Sequence, residues 1–245
     1  MVSNRWCLIL LLTIVGALGA CSSQSDPGDD ITLDPSVEQL LTDASASMAV
    51  VESAAFTIEQ SGADIFIDDA NQLGFQSAQG RFSAPSAAEA LITVDALGYT
   101  TEVGAIAIDG TLWFTNPLSG AWTEAPEGFT FDPATLFDAD LGFPALLAEA
   151  ATTAELIDEA SGEDAVDGDN HHFRTTVAAE RVFVLTGGLV TDETDADLWI
   201  DVETGRVVET RFDISVDDSL SSWRMTISDY DSEVDIAPPE LGSNG

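Results

Sequence analysis

Two histidines, two cysteines and 44 carboxylates are the residues of this 245-residue chain with acid–base, metal or nucleophile chemistry within reach. His171 and His172 are adjacent in a predicted strand, so their side chains point to opposite faces and cannot close on one metal. A Ser-His-Asp relay would need one of them, and no Gly-x-Ser-x-Gly elbow is present to present the serine. With 44 carboxylates, close pairs arise from number alone and carry no acid–base reading. The clusters Asp26/Asp29/Asp30 and Asp192/Glu193/Asp195/Asp197 lack the alternating spacing and distal Glu of a calcium loop, which leaves loose counter-ion binding. The residues therefore predict no catalytic group, no metal site and no cofactor. The chain reads as a binding protein rather than an enzyme.

The thiols lead elsewhere. Arg5 and the α-amino group precede an uncharged apolar run, Trp6 to Ala20, that ends in Leu18-Gly19-Ala20-Cys21. Fifteen helical residues fall short of the roughly 20 that a bilayer span requires, so residues 1–20 read as a secretory signal. Leu-Gly-Ala-Cys resembles the lipobox of bacterial lipoproteins, which makes Cys21 the first mature residue and the acylated anchor. Cys7 leaves with the signal, so no thiol remains for a disulfide and the fold must hold by packing.

Charge narrows the partners. The chain carries seven arginines, no lysine and a net charge of −37, which becomes −38 once Arg5 is removed. That field excludes nucleic acid as a partner. It also disfavours an anionic ligand unless one of the remaining arginines is placed to meet it.

The elements follow in order. Residues 21–33 are a polar tether. Asp34-Pro35-Ser36 opens a helix, with Asp34 as cap or Ser36 with Gln39 as a rival capping box. Val37, Leu40, Leu41, Ala44, Met48 and Val51 form its apolar stripe. The period then changes to two. Phe56 and Ile58 alternate with polar residues; Gly80 to Pro85 ends a short strand; Ala90 to Val94 starts another. Asp109-Gly110, between Ile106/Ile108 and Leu112/Phe114, signals a type I′ hairpin. Residues 127–150 interrupt the strands with Phe129, Phe131, Leu136, Phe137, Leu141, Phe143, Leu146 and Leu147, and Asp132-Pro133 and Phe143-Pro144 mark two helix starts. Strands return at 154–157 and 171–177, a short helix is expected over Val182 to Val190, and strands close the chain. In the one after Gly205, Val208, Thr210, Phe212, Ile214 and Val216 share a face, with Glu209, Arg211, Asp213 and Ser215 on the other.

Short turns between successive strands favour an antiparallel meander, and about ten strands must curl strongly. The expected fold is α+β: a large, strongly curved antiparallel sheet, a half-barrel, with helices packed on its concave face. It occupies residues 34–237 as one domain, with 238–245 a disordered tail.

Several segments then occur in a recognisable order. Phe82-Ser83-Ala84-Pro85, Asp109 to Phe114, Gly120-Ala121-Trp122 and Leu141 to Leu147 are followed by Leu198 to Asp201, Gly205 to Val208 and Ile227 to Tyr230. This series resembles the LppX/LprAFG family of actinobacterial lipoproteins, whose half-barrel is similar to the carriers LolA and LolB. The resemblance spans roughly residues 45–237. It implies an apolar cavity holding an acylated lipid or glycolipid for carriage across the envelope, with Cys21 fixing the protein to the outer face of the cell membrane. The absent lysines and the acidic stretches 159–169 and 192–197 depart from the pattern and bear on the ligand more than on the fold. Leu40, Leu41, Met48, Phe56, Ile58, Phe114, Phe137, Phe143, Leu146, Leu147, Phe212 and Ile214 are the residues expected to line the cavity. The expected partners are the lipid, the membrane and a lipid transporter, around a monomer. The alternative is a membrane-anchored adaptor or scaffold with no cargo, whose helices fill the sheet's hollow completely.

Overall fold

Helix α1 (Val37–Ala49) begins at Ser36, whose hydroxyl accepts from the Gln39 backbone N–H at 3.2 Å. Ser36 is thus the cap, the second of the two expected alternatives. The computed structural model describes residues 35–67, 71–96, 98–117, 119–125, 132–157, 166–216 and 218–241. Cys21, the tether, Asp34, Phe129, Phe131 and most of 159–169 lie outside the described residues.

Among those residues, twelve strands form one antiparallel sheet. They are β1 (Ser53–Gly62), β2 (Ile65–Phe66), β3 (Leu73–Ser83), β4 (Ala87–Ala96), β5 (Tyr99–Ile108), β6 (Thr111–Thr115), β7 (Trp122–Glu124), β8 (Glu155–Leu156), β9 (Asn170–Val177), β10 (Thr194–Asp201), β11 (Val207–Val216) and β12 (Ser219–Ser228). Their spatial order is β7-β6-β5-β4-β3-β1-β12-β11-β10-β9-β8, with β2 attached to β3. The first and last strands meet at the centre, and one meander runs outward on each side. The edges, β7 and β8, are only three and two residues long, which limits the unpaired backbone they offer to another sheet.

The Asp109-Gly110 turn adopts the expected geometry, with φ of 50° and 78° at the two positions. Other expectations need correcting. The segment ending near Pro85 is no short strand: β3 has eleven residues and slips register between Phe75 and Ser77. That bulge breaks the two-residue alternation that would have announced the strand. The expected helix over 182–190 is α3 (Ala179–Leu185), which stops before Gly187-Gly188. The sheet has twelve strands where about ten were expected, with β2 and β8 only two residues long each.

The insert forms the rest of the helical layer. Asp132 accepts from the Ala134 N–H and caps a 3-10 turn, Pro133–Phe137, and α2 (Phe143–Ala150) follows, each with its proline in the first turn. α1 packs along α2, where Ser45 Oγ donates to the Pro144 carbonyl at 2.7 Å. The 3-10 turn lies on β3 and β4, α2 reaches β9, and α3 touches the 3-10 turn. Sheet and helices bury one continuous apolar core on the concave side.

Candidate functional site

Alternation along the strands assigns each residue to a face. On the concave side stand Phe56 and Ile58 of β1, Ile92 and Val94 of β4, Thr210, Phe212 and Ile214 of β11, and Trp223, Met225 and Ile227 of β12, all buried. Leu41 and Met48 of α1, Phe137 of the 3-10 turn, and Phe143, Leu146 and Leu147 of α2 close over them.

The seam is tight. Phe137 stacks on Phe82 with centroids 4.4 Å apart and tilts against Phe56 at 6.4 Å. Gly80 makes room for this: a Cβ there would sit 2.4 Å from the Phe56 ring and 2.2 Å from the Glu89 carbonyl. Leu41 and Leu147 have no exposure and Phe143 has 1%, so no space large enough for water borders them. The structure therefore shows the lid closed on the sheet at these residues. Leu40 and Phe114 are half-buried at the margin of the same core. All twelve residues expected to line a cavity thus belong to, or pack against, one cluster.

Away from the lid, Trp223 is stacked between Phe75 (5.4 Å) and Phe212 (5.9 Å). Its indole Nε1 and the Thr210 hydroxyl, one strand over and diagonal to it, are buried without a hydrogen-bond partner. A buried donor left unmade costs free energy, so this pair on an otherwise apolar floor requires an explanation. Sequence pattern placed Thr210 on the inner face but gave no sign that its hydroxyl goes unmet.

A clasp holds the lid. Arg181 of α3 pairs with Glu149 of α2 at 2.6 Å, and its Nη1 donates to the carbonyls of Asp140 (2.9 Å) and Leu141 (3.1 Å). The Glu149 carboxylate keeps the guanidinium charged, raising its pKa above the ordinary value. Beneath it a 130 Å³ slot runs between α2 and β9, lined by Leu146, Ala150, Thr153, Thr175, Val177 and Arg181 among others.

The convex face is polar. Glu209, on the face opposite Thr210 and Phe212, is 1% exposed: Arg211 and Arg224 both bond it, and Arg211 also covers Trp199 at 4.6 Å. Its partner holds the Arg224 guanidinium charged, with a raised pKa. His172 stacks on Trp199 at 4.4 Å and meets Asp197 at 2.7 Å, while His171 lies toward Phe173 on the other face. The two histidines diverge as expected. A groove of about 880 Å³ beside this cluster is lined by Glu59, Arg174, Asp197, Arg211, Asp213 and Arg224 among others. Among the described residues no three His, Cys, Asp or Glu side chains gather as a metal site, and no helix is long and apolar enough to cross a membrane.

This arrangement of sheet and lid has relatives. Residues 36–236 match the model of the LppX_LprAFG lipoprotein family. The chain belongs to that family. Among solved structures it is similar to LprF from Mycobacterium bovis, at 16% identity and a TM-score of 0.58, over 84% of this chain and 97% of that one. It is also similar to the Mycobacterium tuberculosis lipoprotein LppX, at 14% identity and a TM-score of 0.52, over 83% and 100%. No curated protein matches the sequence significantly. At these identities the two structures support the family's fold, and the large open antiparallel sheet with helices on its concave face is the architecture the sequence pattern predicted.

Proposed function

We propose that this member of the family takes the acyl chains of a lipid or glycolipid between the helical lid and the concave sheet, and carries it across the cell envelope to a lipid transporter. Acylated Cys21 holds the carrier to the outer face of the membrane. The observation that carries the reading is the apolar floor with its two unmet donors. Trp223 Nε1 and Thr210 Oγ1 cost stability in the closed protein and become useful when an ester or glycosidic oxygen lies against them.

Binding is an exchange. Burying acyl chains yields about 0.8 kcal/mol per CH₂, but the cargo must first part Phe137, Phe143 and Leu147 from the sheet. Net affinity is the difference, so the closed lid sets the threshold and the chain length supplies the drive. The competing reading, a tethered adaptor without cargo, draws on the same closed seam and on apolar side chains exposed at strand ends: Tyr99 at 78%, Leu220 at 58% and Phe66 at 39%.

A titration separates the two. The described residues from 35 to 241 form one compact unit, so the chain from residue 21 with Cys21→Ser retains every element of the core. A fluorescent fatty-acyl probe should bind it saturably and be displaced by diacylglycerol. Absence of binding, with a partner protein still captured after delipidation, favours the adaptor and removes the carrier.

A further inference from the structure

Each of the six arginines in the described part of the chain is paired with a carboxylate, but only one lies in the lid. On the convex face, Arg81 pairs with Glu89, Arg174 with Asp197 and Arg224 with Glu209 across strands, and Arg211 with Glu209 along its own strand. Arg206 pairs with Asp231 after the last strand, with its guanidinium over the Tyr230 ring. Arg181 alone bridges two helices of the lid, and its position at the mouth of the 130 Å³ slot between α2 and β9 is the one cationic entrance to the lid seam among the described residues.

The two halves of this ion pair differ in their surroundings. Arg181 is 15% exposed, fixed by two backbone carbonyls as well as by Glu149. Glu149 is 49% exposed, and both of its carboxylate oxygens accept from the Arg181 guanidinium. A carboxylate so exposed returns to water at little cost, whereas the guanidinium stays behind, half enclosed and shaped for a planar or tetrahedral oxyanion. The slot below offers Thr153 and Thr175 hydroxyls, 3.1 Å apart, and the side chains of Leu146, Ala150 and Val177. Polar and apolar walls meet there, as the junction of a lipid's head and chains requires.

We propose that Arg181 is the headgroup site of the carrier, and that its ligand is an anionic oxo group on an acylated lipid: a phosphate, sulfate or carboxylate. The anion replaces Glu149 on the guanidinium. That exchange releases α2 from α3, so recognition of the head and opening of the lid are one event. In a chain of net charge −37 this is the place where an anionic ligand is met by a cation already desolvated for it. The inference rests on the lipid-carrier reading.

The test uses the chain from residue 21 with Cys21→Ser and a displaceable fluorescent acyl probe. The competitors are dioleoyl phosphatidate, dioleoylglycerol with the same chains and no charge, and inorganic phosphate alone. Phosphatidate should compete at least about tenfold more tightly than dioleoylglycerol, and inorganic phosphate should leave the probe in place. Arg181→Gln should reduce the tenfold preference to less than twofold. Glu149→Gln, which keeps the cation and removes its internal competitor, should enlarge the preference, and it serves as the check if Arg181→Gln fails to fold. Equal competition by the two lipids, or a preference unchanged in both variants, overturns the headgroup site and leaves the carrier standing. Displacement by inorganic phosphate alone assigns the site to a free anion and overturns the coupling to lipid. Failure of the probe and both lipids to bind overturns the carrier reading itself.

Discussion

Replacing Thr210 with valine should make the protein more stable and a weaker binder of acylated lipid. Thr210 has no exposed surface, and its hydroxyl meets no partner on the concave floor beside Trp223. Burying an unmade hydroxyl costs about 1–3 kcal/mol, and valine puts a methyl group in nearly the same volume. A gain of about 1 kcal/mol is expected in the empty protein, which raises Tm by about 2–4 °C for a domain of this size. With cargo in place the same hydroxyl makes a neutral hydrogen bond worth about 0.5–1.5 kcal/mol, so its loss weakens binding by roughly two- to tenfold. The assay pairs calorimetric melting of the unliganded protein with displacement of an acyl probe by diacylglycerol. A fall in Tm would mean that the hydroxyl already has a partner in the closed protein. A rise in Tm with undiminished affinity would mean that cargo never reaches the floor. Either result refutes the reasoning.

Phe137→Ala should cost about 3–5 kcal/mol in urea unfolding, since it removes a ring stacked on Phe82 and packed against Phe56. The same variant should bind the acyl probe more tightly, because less closed-lid contact has to be surrendered. Gly80→Ala should destabilise by about 1–3 kcal/mol or more, since its Cβ would collide with the Phe56 ring and the Glu89 carbonyl; thermal melting reads this directly. Glu209→Gln should cost about 2–3 kcal/mol, because two guanidinium groups lose the charge of an almost fully buried carboxylate; urea unfolding measures it, and the acyl probe should be unaffected on the opposite face. Two carboxylates give opposite pH dependence. The Glu52 backbone N–H, and then Arg206, hold Asp231 below the ordinary carboxylate pKa, so its contribution is full above pH ~4 and is lost as pH falls through the lowered value. Burial raises the pKa of Asp132, with the Ala134 N–H opposing, so its contribution is full below pH ~4 and is lost as pH rises through the raised value. Asp231→Asn should therefore flatten the acid limb of a stability–pH curve, whereas Asp132→Asn, which keeps the capping acceptor, should stabilise at neutral pH and lose that advantage in acid.

How much of this was legible depends on what periodicity can report. The stripe of α1 as far as Met48, the Asp109-Gly110 turn and the two proline helix starts are local signals, written in adjacent residues, and they read correctly, while Val51 falls beyond the end of the helix at Ala49. β3 was cut short because its bulge between Phe75 and Ser77 shifts the alternation midway. The face of Glu209 was legible but its burial was not: alternation says which way a side chain points, not that Arg211 and Arg224 will close over it from its own strand and the next. The candidate site met the same boundary. Phe56, Phe137, Phe143, Leu147 and Phe212 were recognisable as inward residues, yet whether facing apolar surfaces leave room or touch is decided by sub-ångström packing that no pattern encodes. The unmet donors on the floor and the Arg181 clasp were invisible for a related reason, since each is set by surroundings built from residues distant in sequence.

The central claim is that an acyl chain takes the place of the lid's contacts with the floor. Native mass spectrometry of the intact acylated protein, released gently from the membrane of a host that makes it naturally, tests this most directly. The account predicts a second, non-covalent lipid mass at about one per chain, lost from a form in which Phe143 and Leu147 are both replaced by aspartate while the covalent mass on Cys21 remains. A protein that carries only its covalent acyl groups, at every lipid concentration offered, would contradict it.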